Sequence, residues 1–541
     1  MRNHLQVIRS LLGDAEFTNA QHLQAKDEGP FQYFRLHLDA PRYRGFLPTW
    51  DVAVVLDTPQ PRSQSSLEAV YEAANRLIDE DRRNEQPSPT QIPLLILSDD
   101  PRVKLLDTLP NHAKRVFLVE HSSLPTVRPV EVNPTTSPLV KVVRNQLTRP
   151  SFSALMFSPY LRNRPASGWR FFGRKRELEV LEESYESFFV VGGRRMGKTS
   201  LLKELERRIS ANGTHVVFVD VEACQDEDEV VRKILQSISE KDAASAVRRQ
   251  IALSEPFISS VLRKVTSRGG RVVLILDELG NVIARQPKDQ WKLLGTLREY
   301  SHGGKLRVVV SCFQELFQKQ AIDRSGPLVN FGSVLRLHAL SPGEVDEMVV
   351  APLLHWARIN NTKALLQLVL ASIGRHPYVL QTFCQELFQR FMRQPDRDVL
   401  TIAKAFLDSD SEYTSCFREA VEEIFNRALT PLLRYVYLLR CREGDLAGAP
   451  LSDTVIDDDW LDLALEKMGY LSSLDDRSDL LQELEMRGMI DQKDDRRSAF
   501  IVVSPMVYYY HKKAGVNFDM LFEKFRREVK VEHERWGLKV Q

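Results

Sequence analysis

The run GGRRMGKT at 192–199 carries the G-x-x-x-x-G-K-T spacing that grips a chain of phosphates. Gly192, Gly193 and Gly197 allow the backbone to curl until successive N–H groups face an anion, with Arg194, Arg195 and Met196 in the bend. The helix that starts next adds the positive end of its dipole. Lys198 is placed to neutralise the outer phosphates, Thr199 to lend a hydroxyl to a divalent cation, and Ser200 to complete the set at the helix start. Downstream, RVVLILDELGNVI at 271–283 ends an apolar run in Asp277 and Glu278. An Asp there can hold Mg²⁺ through water, and the adjacent Glu can orient and deprotonate an attacking water. Alone, two acids closing a strand are most often merely solvated. Behind a phosphate motif they predict ATP, Mg²⁺ and hydrolysis. A third apolar run, LRVVVSC at 306–312, puts Ser311 at a strand end, where a hydroxyl either senses the γ-phosphate or simply closes the strand.

Such residues need a sheet to hold them. Apolar runs at 187–191, 215–219, 272–276, 306–311 and 333–337 alternate with helical stretches. This predicts an α/β fold: five buried strands in a three-layer P-loop sandwich over 170–340. Beyond Pro342 the strand signals stop, and amphipathic helices predict a lid over 341–423. Helices near 431–440, 460–468 and 477–486 precede DQKDDRRSAFIVV, two short apolar ends around a charged turn. That order predicts a winged helix over 424–515 and a last helix over 516–541. Upstream, runs at 51–56, 92–97 and 115–119 predict a separate N-terminal α/β domain over 1–120, joined by a Pro- and Ser-containing linker over 121–169. Its rhythm is receiver- or flavodoxin-like, with Asp57 and Ser98 at strand ends. The acidic pair a phosphorylation site needs is missing, so a binding module is expected.

Composition narrows the class. Of 541 residues 43% are hydrophobic and 27% charged, and the net charge of +1 draws the chain to neither nucleic acid nor membrane. The five scattered cysteines lack metal-ligand spacing, which suits a reducing compartment. No apolar run approaches the roughly 18 residues of a membrane span. The expected location is cytoplasmic.

Three further runs complete the pattern: FFGRKRELEVL at 171–181, SGPLVNFGSVLRLHALSPGEVDEMV at 325–349 and IGRHPYVLQTFCQEL at 373–387. With them the chain resembles the STAND branch of the AAA+-related ATPases, including the archaeal-type group, and is similar to the origin-recognition ATPases over about 170–510. The resemblance implies that Phe172, Gly173 and Arg174 lie against adenine, and that Gly374, His376 and Pro377 on the lid approach the base. It also implies an arginine for the γ-phosphate: Arg375 from the lid, or Arg324 reaching a neighbouring subunit. Read without the family, GRHPY is a Gly–Pro helix junction, and both arginines are ordinary surface residues. The long repeat array common in STAND proteins is not visible, nor is an effector signature.

Two roles follow from the resemblance. One is a signalling switch, closed by ADP and opened by ATP, that self-associates in the ATP state and meets an unknown effector or trigger. Bacterial antiviral defence is the family role that suits it. The other is a DNA-binding loader or transposition regulator with the winged helix on duplex. Segment 475–491 carries Asp475, Asp476, Asp479, Glu483, Glu485 and Asp491 against Arg477 and Arg487, a net charge of −4. That repels a duplex, and Lys493, Arg496 and Arg497 beyond it soften the repulsion without reversing it. The switch is favoured over DNA.

Overall fold

The computed structural model describes strands at 20–28, 31–38, 50–57, 94–97 and 116–119. From 158 to 535 it describes all but 161, 163, 212–213, 243–271, 281, 283–291, 303–305, 313–330, 355–358, 395–396, 469–473 and 494–498. Arg324, Ser98, Arg496, Arg497 and the expected linker before 158 lie outside the described residues.

In the N-terminal part, β1 (Ala20–Glu28), β2 (Phe31–Leu38), β3 (Trp50–Asp57), β4 (Leu94–Leu97) and β5 (Val116–Val119) form one sheet in sequence order. The three apolar runs supply β3, β4 and β5, which pair in parallel. The first two strands depart from an all-parallel receiver or flavodoxin pattern: β1 pairs β2, and β2 pairs β3, antiparallel. The cause is chain length. Two residues separate Glu28 from Phe31, far fewer than a parallel crossover requires.

The second sheet joins β6 (Phe188–Val191), β7 (His215–Asp220), β8 (Val272–Asp277), β9 (Leu306–Cys312) and β10 (Ser333–Arg336) in the order β10-β6-β9-β8-β7. Every neighbouring pair is parallel. Each residue of β6, β8 and β9 is buried, as expected of strands covered on both faces. Side-chain alternation divides them between two cores. Phe188, Val190, Val273 and Ile275 pack with α1 (Lys175–Glu183) and α2 (Lys198–Ala211). Phe189, Val191, Leu274 and Leu276 pack with α3 (Glu227–Asp242) and α4 (Lys292–His302). Helix, sheet and helix make three layers.

Helices α5 (Pro342–Leu354), α6 (Thr362–Ser372), α7 (Pro377–Arg393), α8 (Val399–Asp408) and α9 (Asp410–Val421) follow. Their starts are written in the sequence: Asn361 and Asp398 accept from N–H groups of the first turns of α6 and α8. A π-turn at Glu422–Asn426 leads to α10 (Pro431–Leu446), where Thr430 caps and Pro431 opens the helix. Then come β11 (Val455–Asp457), α11 (Asp458–Lys467), α12 (Leu474–Met486), β12 (Ile490–Gln492), β13 (Ala499–Val502), α13 (Met506–Lys513) and α14 (Phe518–Arg535). The last three strands form a small antiparallel sheet, β11-β13-β12.

One hydrophobic cluster runs through all of this, from Val345 and Phe383 through Phe417 and Leu433 to Leu484, Val502 and Phe525. The helices after Pro342 and the C-terminal elements are therefore a single packed body. Gly374 marks one close approach between them. Its φ is +91°, and a Cβ there would lie 2.1 Å from the Val503 carbonyl oxygen, so only glycine fits.

Candidate functional site

Strand β6 delivers the chain into the loop 192–197, and α2 begins at Lys198. Arg195 and Gly197 take φ of +63° and +92°, the left-handed steps that fold such a loop into a tight bend. Lys198 is buried, and its Nζ donates to the carbonyls of Gly192 at 3.0 Å and Gly193 at 3.1 Å. Glu278 Oε1 lies 3.9 Å away. Burial lowers the pKa of the lysine, and Glu278 opposes that shift.

The sheet order explains the rest of the centre. Because β9 lies between β6 and β8, Ser311 stands beside both acids at the carboxyl edge of the sheet. Its hydroxyl donates to Asp277 Oδ1 at 2.5 Å and accepts from the Glu278 N–H at 2.8 Å. Asp277 is only 2% exposed. Glu278 holds a left-handed backbone with φ of +60°, a strain of about 1–3 kcal/mol for a residue with a Cβ. Burial raises its pKa, with Lys198 opposing and Asp277 adding to the rise.

Lys198 and Glu278 border a cavity of about 500 Å³, whereas Asp277 and Ser311 are buried behind them and do not line it. Thr199, Ser200 and Glu278 line it, as do Met196, Gly197 and Lys198 of the loop. Six cations (Arg162, Arg164, Arg174, Arg194, Arg195 and Lys198) face two carboxylates, Glu222 and Glu278, a balance suited to a polyanion. Its apolar lining comes from Phe171, Phe172, Leu340, Met348 and Pro377, with Gln381 contributing an amide. A segment before α1 is tied to both α2 and α5 beside the cavity. Ala166 N–H donates to Ser200 Oγ at 3.0 Å, and Tyr160 Oη–H to the Met348 carbonyl at 3.0 Å.

Not every expected residue reaches the cavity. Phe172, Arg174 and Pro377 line it; Gly173 packs instead against Glu344. Arg174 is a buried strut, donating to the carbonyls of His338 at 2.5 Å and Met196 at 3.3 Å. Arg375 binds Asp491 Oδ2 at 2.6 Å and the Leu340 carbonyl at 2.9 Å, away from the loop. His376 is fully buried and caps α7 through Nδ1, which accepts from the Tyr378 N–H at 3.2 Å. Arg162, Arg164 and Gln381 were missed, because nothing in their spacing sets them apart from surface residues.

His376 makes an acid-sensitive point. Burial, with Arg174 adding, lowers its pKa from 6.5 to about 3. The unfolded chain then takes up a proton that the folded chain refuses, so stability is present above about pH 6.5 and is lost as pH falls toward 3. In His376→Asn, which keeps a cap acceptor, the fall in urea midpoint between pH 6.5 and 4.5 should be shallower than in wild type. Parallel slopes would remove His376 from the acid response.

A sequence further set apart is the last turn of α12. Gly193 N–H donates to the Met486 carbonyl at 2.9 Å, while the Met486 side chain enters the sheet core beside Phe189 and Val191. A Cβ on Gly193 would sit 2.7 Å from that carbonyl oxygen. The C-terminal body thus rests directly on the phosphate-type loop.

Residues 171–349 match the family described as the ATPase domain predominantly from Archaea. The match makes this stretch an ATPase domain and the chain an ATPase. No match is found among curated proteins. Among solved structures, the chain is similar to a Walker-type ATPase of Pyrococcus abyssi, at 17% identity over 65% of this chain and 99% of that one, with a TM-score of 0.45. It is also similar to the ORC2 protein of Aeropyrum pernix in ADPNP and ADP complexes (15% identity, 72% and 98% covered, TM-score 0.43). The Cdc6p of Pyrobaculum aerophilum follows at 12% identity, 71% and 98% covered, and a TM-score of 0.33. Among the described residues no helix is long and apolar enough to cross a membrane.

Proposed function

We propose that the chain is an ATP-operated switch of STAND type, in which the nucleotide decides whether the C-terminal body stays seated on the phosphate loop. The observation that carries this is the Gly193–Met486 hydrogen bond, which puts the C-terminal, negative end of α12 against the loop. A γ-phosphate adds charge close to that end and ADP does not, which gives the two nucleotides different affinities for the seated and unseated forms.

In this reading Lys198 neutralises the outer phosphates, and the apolar lining with Phe172 takes the adenine. Thr199 and Asp277 offer hard oxygen donors that fit Mg²⁺, which supplies charge neutralisation at the phosphates when bound. Glu278 takes a proton from water as its oxygen attacks the γ-phosphorus and the bond to the ADP oxygen breaks. Ser311 holds both acids in place. The divisions supported by this reading are a core over 170–340, a lid over 341–423 and a winged helix over 424–515. Helix, strand, two helices and a hairpin, in that order, favour the last assignment. Self-association in the ATP state, with Arg324 completing a neighbour's site, belongs to the same proposal.

DNA is the less favoured partner for a further reason. The two bases of the acidic segment are engaged at home, Arg477 with Asp462 at 2.8 Å and Arg487 with Glu483 at 2.9 Å.

The seat can be tested at one atom. Gly193→Ala introduces the Cβ that meets the Met486 carbonyl, so it should unseat α12 while keeping the Lys198 side chain, the acids and the residue-193 carbonyl that Lys198 binds. Hydrogen exchange at 474–489 in the ADP state should rise to the level wild type reaches with a non-hydrolysable ATP analogue. Exchange indifferent both to the substitution and to the nucleotide would overturn the switch.

A further inference from the structure

Three successive residues of the loop reach three different parts of the body above it. Gly193 N–H bonds the end of α12, Arg194 Nε lies 2.9 Å from Glu423 Oε2, and the Arg195 guanidinium stands 4.9 Å over the Tyr378 ring of α7. The middle contact is built unlike its neighbours. Glu423 is 8% exposed and belongs to the π-turn Glu422–Asn426, a rare element that concentrates at functional positions. Its Oε1 accepts from Arg427 at 3.0 Å. Its Oε2 is buried and accepts no hydrogen bond, so Arg194 is held by charge without an aligned N–H···O. Arg194 also lines the cavity that ends at Lys198, and its side chain is half exposed. It is a weakly tethered cation beside a phosphate site.

We propose that Arg194 is a positioning residue exchanged between Glu423 and the terminal phosphate of a nucleoside triphosphate. This rests on the nucleotide reading of the loop given above. A terminal phosphate carries more charge than a carboxylate and accepts the guanidinium fork through two oxygens, so it outcompetes an unaligned ion pair. When Arg194 turns to it, Glu423 remains buried with Arg427 alone, and the seat of the body above the loop loosens. A diphosphate lacks the competing group and leaves the pair closed. The exchange therefore discriminates triphosphate from diphosphate and passes the difference to the π-turn.

The test is calorimetric titration of ADP and of a non-hydrolysable ATP analogue into wild type, Arg194→Ala, Arg194→Lys, Glu423→Gln and the Arg194→Ala/Glu423→Gln pair. In Arg194→Ala the preference for the triphosphate should fall by roughly tenfold, the worth of one charge-assisted hydrogen bond. Arg194→Lys should recover part of it. Glu423→Gln should raise the preference by a similar factor, and the double variant should match Arg194→Ala. Equal weakening of both nucleotides in Arg194→Ala, or an unchanged preference in Glu423→Gln, overturns the exchange. If Glu423→Gln does not fold, the two Arg194 variants decide alone. Wild type binding neither nucleotide would overturn the nucleotide reading itself, and this inference with it.

Discussion

Glu278→Gln should slow ATP hydrolysis by about 10²–10⁴-fold while ATP still binds. The substitution preserves shape and the hydrogen bond from the residue-278 N–H to Ser311, and removes the proton acceptor together with the charge beside Lys198. Wild type adds a second signature. A general base works when ionised, and burial raises the pKa of Glu278, so the rate should rise with pH through a midpoint above the ordinary carboxylate range. Stability moves the opposite way: the folded chain holds this proton longer, so ionising Glu278 costs stability as pH rises through the same window. The variant should lack that limb of the rate profile. It should also accumulate the ATP form, which mass photometry would register as a heavier species absent with ADP. Wild-type turnover in Glu278→Gln would place the base elsewhere.

Lys198→Ala removes the buried cation of the loop and should weaken ATP by at least about a hundredfold. That follows from losing two charge-assisted bonds worth about 1.5–3 kcal/mol each. The wild-type fold should gain about 2.7 kcal/mol when ATP stands at a hundredfold its Kd, and the variant almost nothing at that concentration. Lys198 also ties the carbonyls of Gly192 and Gly193, so the ligand-free variant is expected to melt somewhat earlier. The decisive quantity is therefore the ATP-induced shift, taken within each protein. Equal shifts in both would remove Lys198 from the phosphate site.

The parts of this molecule that sequence reveals are those governed by neighbours in the chain. Uninterrupted apolar runs mark β6, β8 and β9 because both faces of those strands are covered, and glycine spacing marks the loop because curling is a local act. Ser311 resisted reading for the opposite reason. Its value comes from β9 lying between β6 and β8, and strand order leaves no trace in a strand's own residues. Arg375 sits in a motif expected at the nucleotide, yet its N–H binds the Val503 carbonyl at 2.7 Å and its side chain binds Asp491, both distant in sequence. The β1–β2 hairpin was legible in principle, since a two-residue connection admits no crossover. The seat of Met486 on Gly193 was not: it joins a loop to a helix end that lies far from it in the sequence.

The shared core of helices α5–α9 and the C-terminal elements also has a mechanical meaning. To slide one past the other would expose side chains such as Phe417, Leu433 and Val502, at about 1.5–3 kcal/mol for each one fully uncovered. The seam beneath is thinner: of the described residues in that body, Met486 alone joins the core cluster of Phe189 and Val191. There a half-exposed His338 faces Glu485 at 3.6 Å, and only short chain, residues 337–341, connects β10 to α5. In the proposed switch that seam is the fulcrum, and the described elements from α5 to α14, which share one core, are the stiff arm. An arm multiplies displacement by its length, so in that switch a small shift at the phosphate loop grows with distance from it.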